Sequence, residues 1–316
     1  MTFWKDKVVL VTGGHGFVGT HVVRMLKEKE GTIIHAPTRY DYDLTVEHQV
    51  DLMFKQLRPN VVIHLAGKVG GIAANKSEPG TFFYDNIMMG TLVLEYARRY
   101  DTQKTVALAA GCGYPLELDV PYSENDFWTG LPQEESMGYS MGKKMLIIQS
   151  WTYRAQYDFD SSILLPANLY GPNDNFDLEK SHVVPALIRK FLDAKKNNLP
   201  IVEVWGTGKA TREFLYVEDT ARAILDVAEK FDGSGPLNLG TGVETSIKEL
   251  VDTIVEITGY DGTVIWNTDR PDGQPRRFYC MERFKKHMGY VPNTSLRDGL
   301  QKTIDWYLNS TDKKRL

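Results

Sequence analysis

The first half of the chain repeats one unit, a short Val- and Ile-rich run followed by a longer stretch with helical spacing. The runs are VVLVTG, TIIHAP, NVVIHLA, KTVALAA and SSILLP; GTHVVRMLKEKE and NIMMGTLVLEYARRY are two of the stretches between them. A strand that is apolar throughout, without polar alternation, belongs in a parallel sheet covered by helices on both faces. Right-handed crossovers then give a doubly wound, Rossmann-type parallel α/β sheet. After Pro166 the pattern changes to polar Gly/Pro/Asn-rich loops (NLYGPNDNFD), helices such as VVPALIRKFLDAKK and short strands such as IVEVWG. SIKELVDTIVEITG reads as a helix opened by Thr245 or Ser246 and stopped by Gly259. These shifts predict a dinucleotide-binding domain over residues 1–166 plus about 211–240. A smaller C-terminal α/β substrate domain is expected over 167–210 plus 241–316, ending in a frayed STDKKRL tail.

At 316 residues the chain can bury a sizeable core, and its net charge of −4 argues against a nucleic-acid partner. No apolar run approaches the roughly 18 residues that would cross a bilayer. The opening MTFWKDKVVLVTGG lacks the pattern of a signal peptide. Two cysteines, Cys112 and Cys280, do not make a disulfide framework, and no Cys/His spacing suggests zinc. The expectation is a cytoplasmic protein with no metal and no membrane contact.

TGGHGFVG follows the first strand, with Gly13, Gly16 and Gly19 spaced GxxGxxG; Gly14, Gly16 and Gly19 also satisfy GxGxxG. Glycines there let the backbone turn tightly against a pyrophosphate, while the helix beginning near Val18 offers free N–H groups and a positive dipole end. The competing reading is a plain Gly-rich turn; the strand–turn–helix context favours the cradle. The second strand runs into TRYDYD, where Arg39 is the first charged residue. A carboxylate about 20 positions on would indicate NAD, whereas a guanidinium suits the 2′-phosphate of NADP. NADP is therefore expected, although Asp41 and Asp43 follow closely and a solvated surface arginine remains the alternative.

After the fourth strand, ESMGYSMGKKMLIIQSWTYRAQY forms a long helix with Tyr139 and Lys143 near its start. Residues i and i+4 share a helix face. An ammonium there is expected to lower the phenol's pKa and make Tyr139 a general acid or base toward an alcohol or ketone. The alternative is a surface Tyr-Lys pair.

With these motifs the chain resembles the extended short-chain dehydrogenase/reductases and, among them, the GDP-L-fucose synthase family of 3,5-epimerase/4-reductases. The resemblance runs from the glycine loop to about Gly289 and is carried by AGKVGGIAAN, CGYP, PANLYGPNDNF, SHVVPALIRKF, VWGTGKATREFLYVED and PDGQPRR. It implies a GDP-sugar substrate, NADPH as cofactor and a homodimer built on helices Tyr139–Tyr153 and Asn86–Tyr100. Cys112 and His182 match the family's acid/base pair for protons at C3 and C5 of a keto sugar. Tyr139 would protonate the C4 oxygen, and Lys143 would hold the nicotinamide ribose. Cofactor contacts carry over to Gly13, Gly16, Phe17, Val18 and Gly19 in the glycine loop, to Arg39, and to Ala66, Gly67 and Lys68. Further cofactor contacts fall at Lys143, His182 and, in the PxNLYG segment, Pro166, Asn168 and Leu169. Lys190, Trp205 and Arg212 match positions that hold the nucleotide sugar; a basic pair suits a diphosphate and an indole can pack on a guanine or its ribose.

Two residues depart from the family pattern. Ala110 stands where a Ser or Thr usually hydrogen-bonds the reacting carbonyl, and loss of such a donor costs around 10²–10³ in rate at other sites. Cys280 stands where an Asp is usual, which bears on the sugar contacts near PDGQPRR. Three readings stay open: a natural variant with help from elsewhere in the site, a related reductase with an altered substrate, or an impaired engineered form. Other enzyme readings are a C4 reductase of another GDP-keto sugar such as a heptose, or a 4-epimerase. A 4,6-dehydratase is disfavoured because Gly111-Cys112 supplies no carboxylate, and a non-catalytic dinucleotide sensor is disfavoured by the presence of Tyr139, Lys143, Cys112 and His182.

Overall fold

The computed structural model of the chain describes residues 3–178, 181–270 and 272–310. Its first half reads β1 (Val8–Thr12), α1 (Phe17–Lys27), β2 (Ile33–His35), α2 (Glu47–Leu57), β3 (Val61–His64), α3 (Ile72–Ser77), α4 (Pro79–Arg99), β4 (Lys104–Leu108), α5 (Met137–Tyr157) and β5 (Ser161–Pro166). The second half adds β6 (Asn168–Tyr170), α6 (Val183–Lys196), β7 (Ile201–Trp205), β8 (Thr211–Arg212), β9 (Phe214–Tyr216), α7 (Val217–Lys230) and β10 (Leu237–Leu239). It closes with β11 (Thr245–Ser246), α8 (Ile247–Thr258), β12 (Thr263–Asn267), α9 (Glu282–Met288) and α10 (Leu296–Asn309).

The expected parallel sheet is present, in the order β2-β1-β3-β4-β5-β10 and parallel throughout. The Val/Ile runs are strands because both faces are covered: every residue of β3 and β4 is buried. α1 packs against α7, and α4 against α5. The winding reverses between β1 and β3, which opens a crevice beyond their carboxyl ends. A second core gathers Ile188 and Phe191 of α6, Leu250 and Ile254 of α8, and Leu300 and Ile304 of α10, together with Val202 and Val204 of β7. β12 runs parallel to β7. Ser246 caps α8 by accepting from Glu249 N, and Gly259 ends it with φ +63°.

One part of the expected division differs. Tyr279, Met281, Phe284 and Met288 pack in the larger core with the sheet, although residues 241–316 were assigned to the smaller unit. The cause is local pairing: Tyr122 N donates to Phe278 O (2.9 Å) and Cys280 N to Tyr122 O (2.9 Å), which lays this segment beside the sheet and carries α9 against β10. Of the sequence segments singled out above, Pro271 of PDGQPRR and residues 311–316 of the tail lie outside the described residues.

Candidate active site

The glycine loop turns where the sheet reverses. Gly13 has φ +70°, and a Cβ on it would stand 2.8 Å from Ala66 N; one on Gly19 would stand 2.1 Å from Gly13 O. Any side chain at either position would fill the cradle that the turn makes in front of α1. α1 starts at Phe17 with Gly16 as its N-cap, and no side-chain cap bond occupies its N-terminus, which leaves first-turn N–H groups available for an anion. A cleft of about 460 Å³ opens there, lined by Gly13, Gly16, Arg39, Ala66, Gly67 and Lys68, among others. This fits a dinucleotide: a glycine floor and a helix N-terminus for the pyrophosphate, with Arg39 at the rim. A second hollow of about 520 Å³, lined by Ile34, Asp41, Tyr42 and Gln56, lies beyond β2 and holds none of the groups of the chemistry below.

Both acids near Arg39 have partners within their own loop. Asp41 accepts from Thr38 N and Thr38 Oγ1, each at 2.7 Å, and these bonds hold its carboxyl below the usual range. Asp43 accepts from Thr45 and from Arg39 (3.1 Å), which pins the guanidinium at the mouth of the cleft.

The opposite wall joins the cleft to α5. Lys143 is buried, and its Nζ donates to Ala66 O (3.3 Å) and Leu108 O (3.2 Å), tying β3's exit to the end of β4. Burial draws this ammonium down to about 8, against an opposing pull from Cys112. Phe82 stacks edge-on against Tyr139 at 6.4 Å. The expected lowering of the Tyr139 pKa by Lys143 is not what the structure has. Burial pushes the phenol up and Cys112 adds to the effect, while the Lys143 Nζ donates to two carbonyls.

Cys112 sits in the 3-10 turn Gly111–Gly113 directly after β4. Ser140, fully buried on α5, lies 3.1 Å from both Cys112 O and Cys112 Sγ. The sulfur is in electrostatic range of Tyr139, Lys143, Arg277 and Tyr279. Tyr279 donates to Pro166 O (3.2 Å), and burial pushes its phenol up to about 12. Burial alone would lower the Arg277 pKa, but Tyr279 and Cys112 raise it. Ala110 is buried at the entrance to the turn and brings no hydroxyl.

The other sequence candidates spread outward. His182 is the N-cap residue of α6; its ring reaches solvent but sits in a crowded recess that disfavours the imidazolium. No hydrogen bond among the described residues links that ring to Cys112 or Tyr139. Asn168 Nδ2 donates to Glu213 O (2.9 Å), and Leu169 packs on the larger core. Phe17 and Val18 form the first turn of α1, and Lys68 Nζ pairs with Glu78 (2.6 Å). Lys190 donates to Glu203 O, on the strand that ends at the exposed Trp205, whose ring carries the Arg270 guanidinium at 5.0 Å. Arg212 lies elsewhere, bonded to Gln274 O (2.6 Å) and close enough to Arg277 for mutual repulsion.

Residues 9–240 match the NAD dependent epimerase/dehydratase family. The chain belongs to that family. It is an enzyme of the epimerase and reductase kind, and its similarities extend over nearly its whole length. GDP-L-fucose synthase 1 of Arabidopsis thaliana is 38% identical over 306 residues, covering 97% of this chain and 94% of that protein. A GDP-L-fucose synthetase from Naegleria fowleri, solved bound to NADP, has a TM-score of 0.90 at 27% identity, covering 100% of this chain and 98% of that one. MlghC, a GDP-mannoheptose C4 reductase from Campylobacter jejuni solved with NADP, has a TM-score of 0.87 at 27% identity, covering 96% and 98%.

Sequence reasoning missed four residues of the candidate site. Ser140 falls inside the YxxxK motif, where only the ends were read. Arg277 and Tyr279 come from a segment distant in sequence, and only the PRR of PDGQPRR pointed there. Asn86, buried on α4, accepts from Lys68 N (3.2 Å) and donates to Lys68 O (3.0 Å), clamping the cleft's edge; no motif signalled it.

Proposed function

We propose that the protein is an NADPH-dependent enzyme that epimerises a GDP-4-keto-6-deoxyhexose at C3 and C5 and reduces it at C4, giving GDP-L-fucose or a close relative. What carries this reading is the meeting of Cys112, Tyr139 and Lys143 at the end of β4, beside a glycine-floored cleft. The cofactor, when bound, supplies the hydride for C4. The C4 carbonyl acidifies both neighbouring carbons, so a thiol that takes and returns a proton can invert them, with His182 as its partner. Tyr139, kept protonated by burial, gives its proton to the C4 oxygen. Lys143 orients the ribose from its seat between Ala66 and Leu108, and Arg39 meets the 2′-phosphate. Gly13, Gly16 and Gly19 cradle the pyrophosphate, while Arg212, Lys190 and Trp205 receive the GDP moiety. We also assign a cytoplasmic location and a homodimer, the latter supported by the exposed apolar Phe83 and Tyr84 on α4 and Ile148 and Tyr157 on α5.

A second reading, a C4 reductase of another GDP-keto sugar, is favoured by Ala110, which brings no hydroxyl to the turn that carries Cys112. Incubation of the protein with GDP-4-keto-6-deoxymannose and NADPH in D2O decides between the two. Cofactor oxidation with deuterium at C3 and C5 of GDP-fucose supports the first. Oxidation without exchange supports the second, and no oxidation at high enzyme concentration defeats both for this sugar.

A further inference from the structure

The Ser140 hydroxyl has one proton and more than one acceptor. Cys112 O and Cys112 Sγ lie at the same 3.1 Å, and Ser136 Oγ is at 3.3 Å. Its side chain is sealed from solvent, so water cannot substitute for any of these partners. A hydroxyl is donor and acceptor at once, and its hydrogen turns to suit. With Cys112 as a thiol, S–H donates to Ser140 Oγ while Ser140 O–H donates to Cys112 O. Once the thiol proton has passed to a substrate carbon, the hydroxyl turns and its O–H donates to the sulfur anion. The S–H turns toward the carbon, its bond breaks as the C–H bond forms, and the Ser140 hydrogen rotates onto the sulfur; the heavy atoms stay in place, and the single proton transferred is accounted for on carbon.

We propose that Ser140 is the positioning residue of Cys112, a hydroxyl rotor that holds the sulfur in place in both of its protonation states. The inference rests on the reading of Cys112 as acid and base. The groups that face the sulfur are Tyr139 and Lys143 on α5, and Arg277 and Tyr279 from the segment before α9. Ser140 is the one described side chain that hydrogen-bonds the sulfur directly.

The test uses the full chain carrying Cys280→Ser, so that iodoacetamide reports on Cys112 alone. Ser140→Ala is expected to move the midpoint of the alkylation–pH profile up by about one unit, the size of a lost charge-assisted hydrogen bond. Ser140→Thr, which keeps the hydroxyl, is expected to hold the midpoint of the parent. An unmoved midpoint in Ser140→Ala overturns the proposal. In a second arm with the GDP-keto sugar, Ser140→Ala should slow deuterium exchange at C3 and C5 about tenfold more than it slows NADPH oxidation on the already epimerised sugar. Equal slowing of both steps would mark a merely structural role and also overturn it. If the parent shows no exchange at all, the epimerase reading fails, and the alkylation profiles still judge the Ser140–Cys112 link.

Discussion

The Tyr279 hydroxyl stands where a side chain at position 111 would be: a Cβ built on Gly111 lies 1.6 Å from that oxygen and 2.9 Å from Pro166 O. Gly111 is therefore glycine because a residue 168 positions later fills its space, as the difference of 279 and 111 gives. Gly111→Ala should cost about 1–3 kcal/mol in urea unfolding, the range of an overpacked core. Tyr279→Phe in the same chain removes the clashing oxygen and should recover part of the loss. Additive costs for the two substitutions would show that the oxygen is not the obstacle.

Lys143 links the site to stability. Its folded pKa is about 8 against an ordinary 10.5, so between those values the unfolded chain binds more protons than the folded one. Stability must then rise with pH through that window, and the charge disfavours folding below it. The parent, compared with Lys143→Met, should gain on the order of 3 kcal/mol between pH 8 and 10.5. Taking the difference between the two proteins cancels the opposing effect of the tyrosines. Parallel stability–pH curves would contradict the depressed pKa.

Tyr139 and Cys112 should separate kinetically. Tyr139→Phe is expected to lower C4 reduction by about 10²–10⁴ while exchange at C3 and C5 continues, because the lost proton belongs to the C4 oxygen. Cys112→Ser should do the reverse on a sugar that needs epimerisation. Single-turnover NADPH oxidation and mass spectrometry of the sugar in D2O read the two steps. Loss of both activities in Tyr139→Phe would argue for one shared acid.

Arg39, held at the cleft's mouth by Asp43, should set cofactor preference. The parent is expected to bind NADPH more tightly than NADH. Arg39→Ala should shrink that preference about tenfold or more, the worth of charge-assisted hydrogen bonds to a phosphate. Fluorescence titration of both cofactors measures it, and tighter NADH binding by the parent would overturn the assignment.

Much of the fold was legible from local pattern. β1, β3, β4 and β5 fall on the apolar runs, since a strand buried on both faces is apolar over most of its length. The caps at Ser246 and Gly259 are equally local, set by one side chain and one left-handed residue. The path of residues 279–288 was not legible, because their pairing with Tyr122 joins chain stretches whose own sequences carry no sign of each other.

The site divides along the same line. The amino-acid sequence alone determined the glycine cradle, the Tyr139–Lys143 spacing and the cysteine after β4, because each is a short-range requirement of a turn or a helix face. Only the tertiary structure decided which way Lys143 points, that Ser140 brings a hydroxyl to Cys112, and that Tyr279 closes over Gly111. Burial and the direction of a hydrogen bond depend on what the rest of the chain brings alongside, and no local pattern records that.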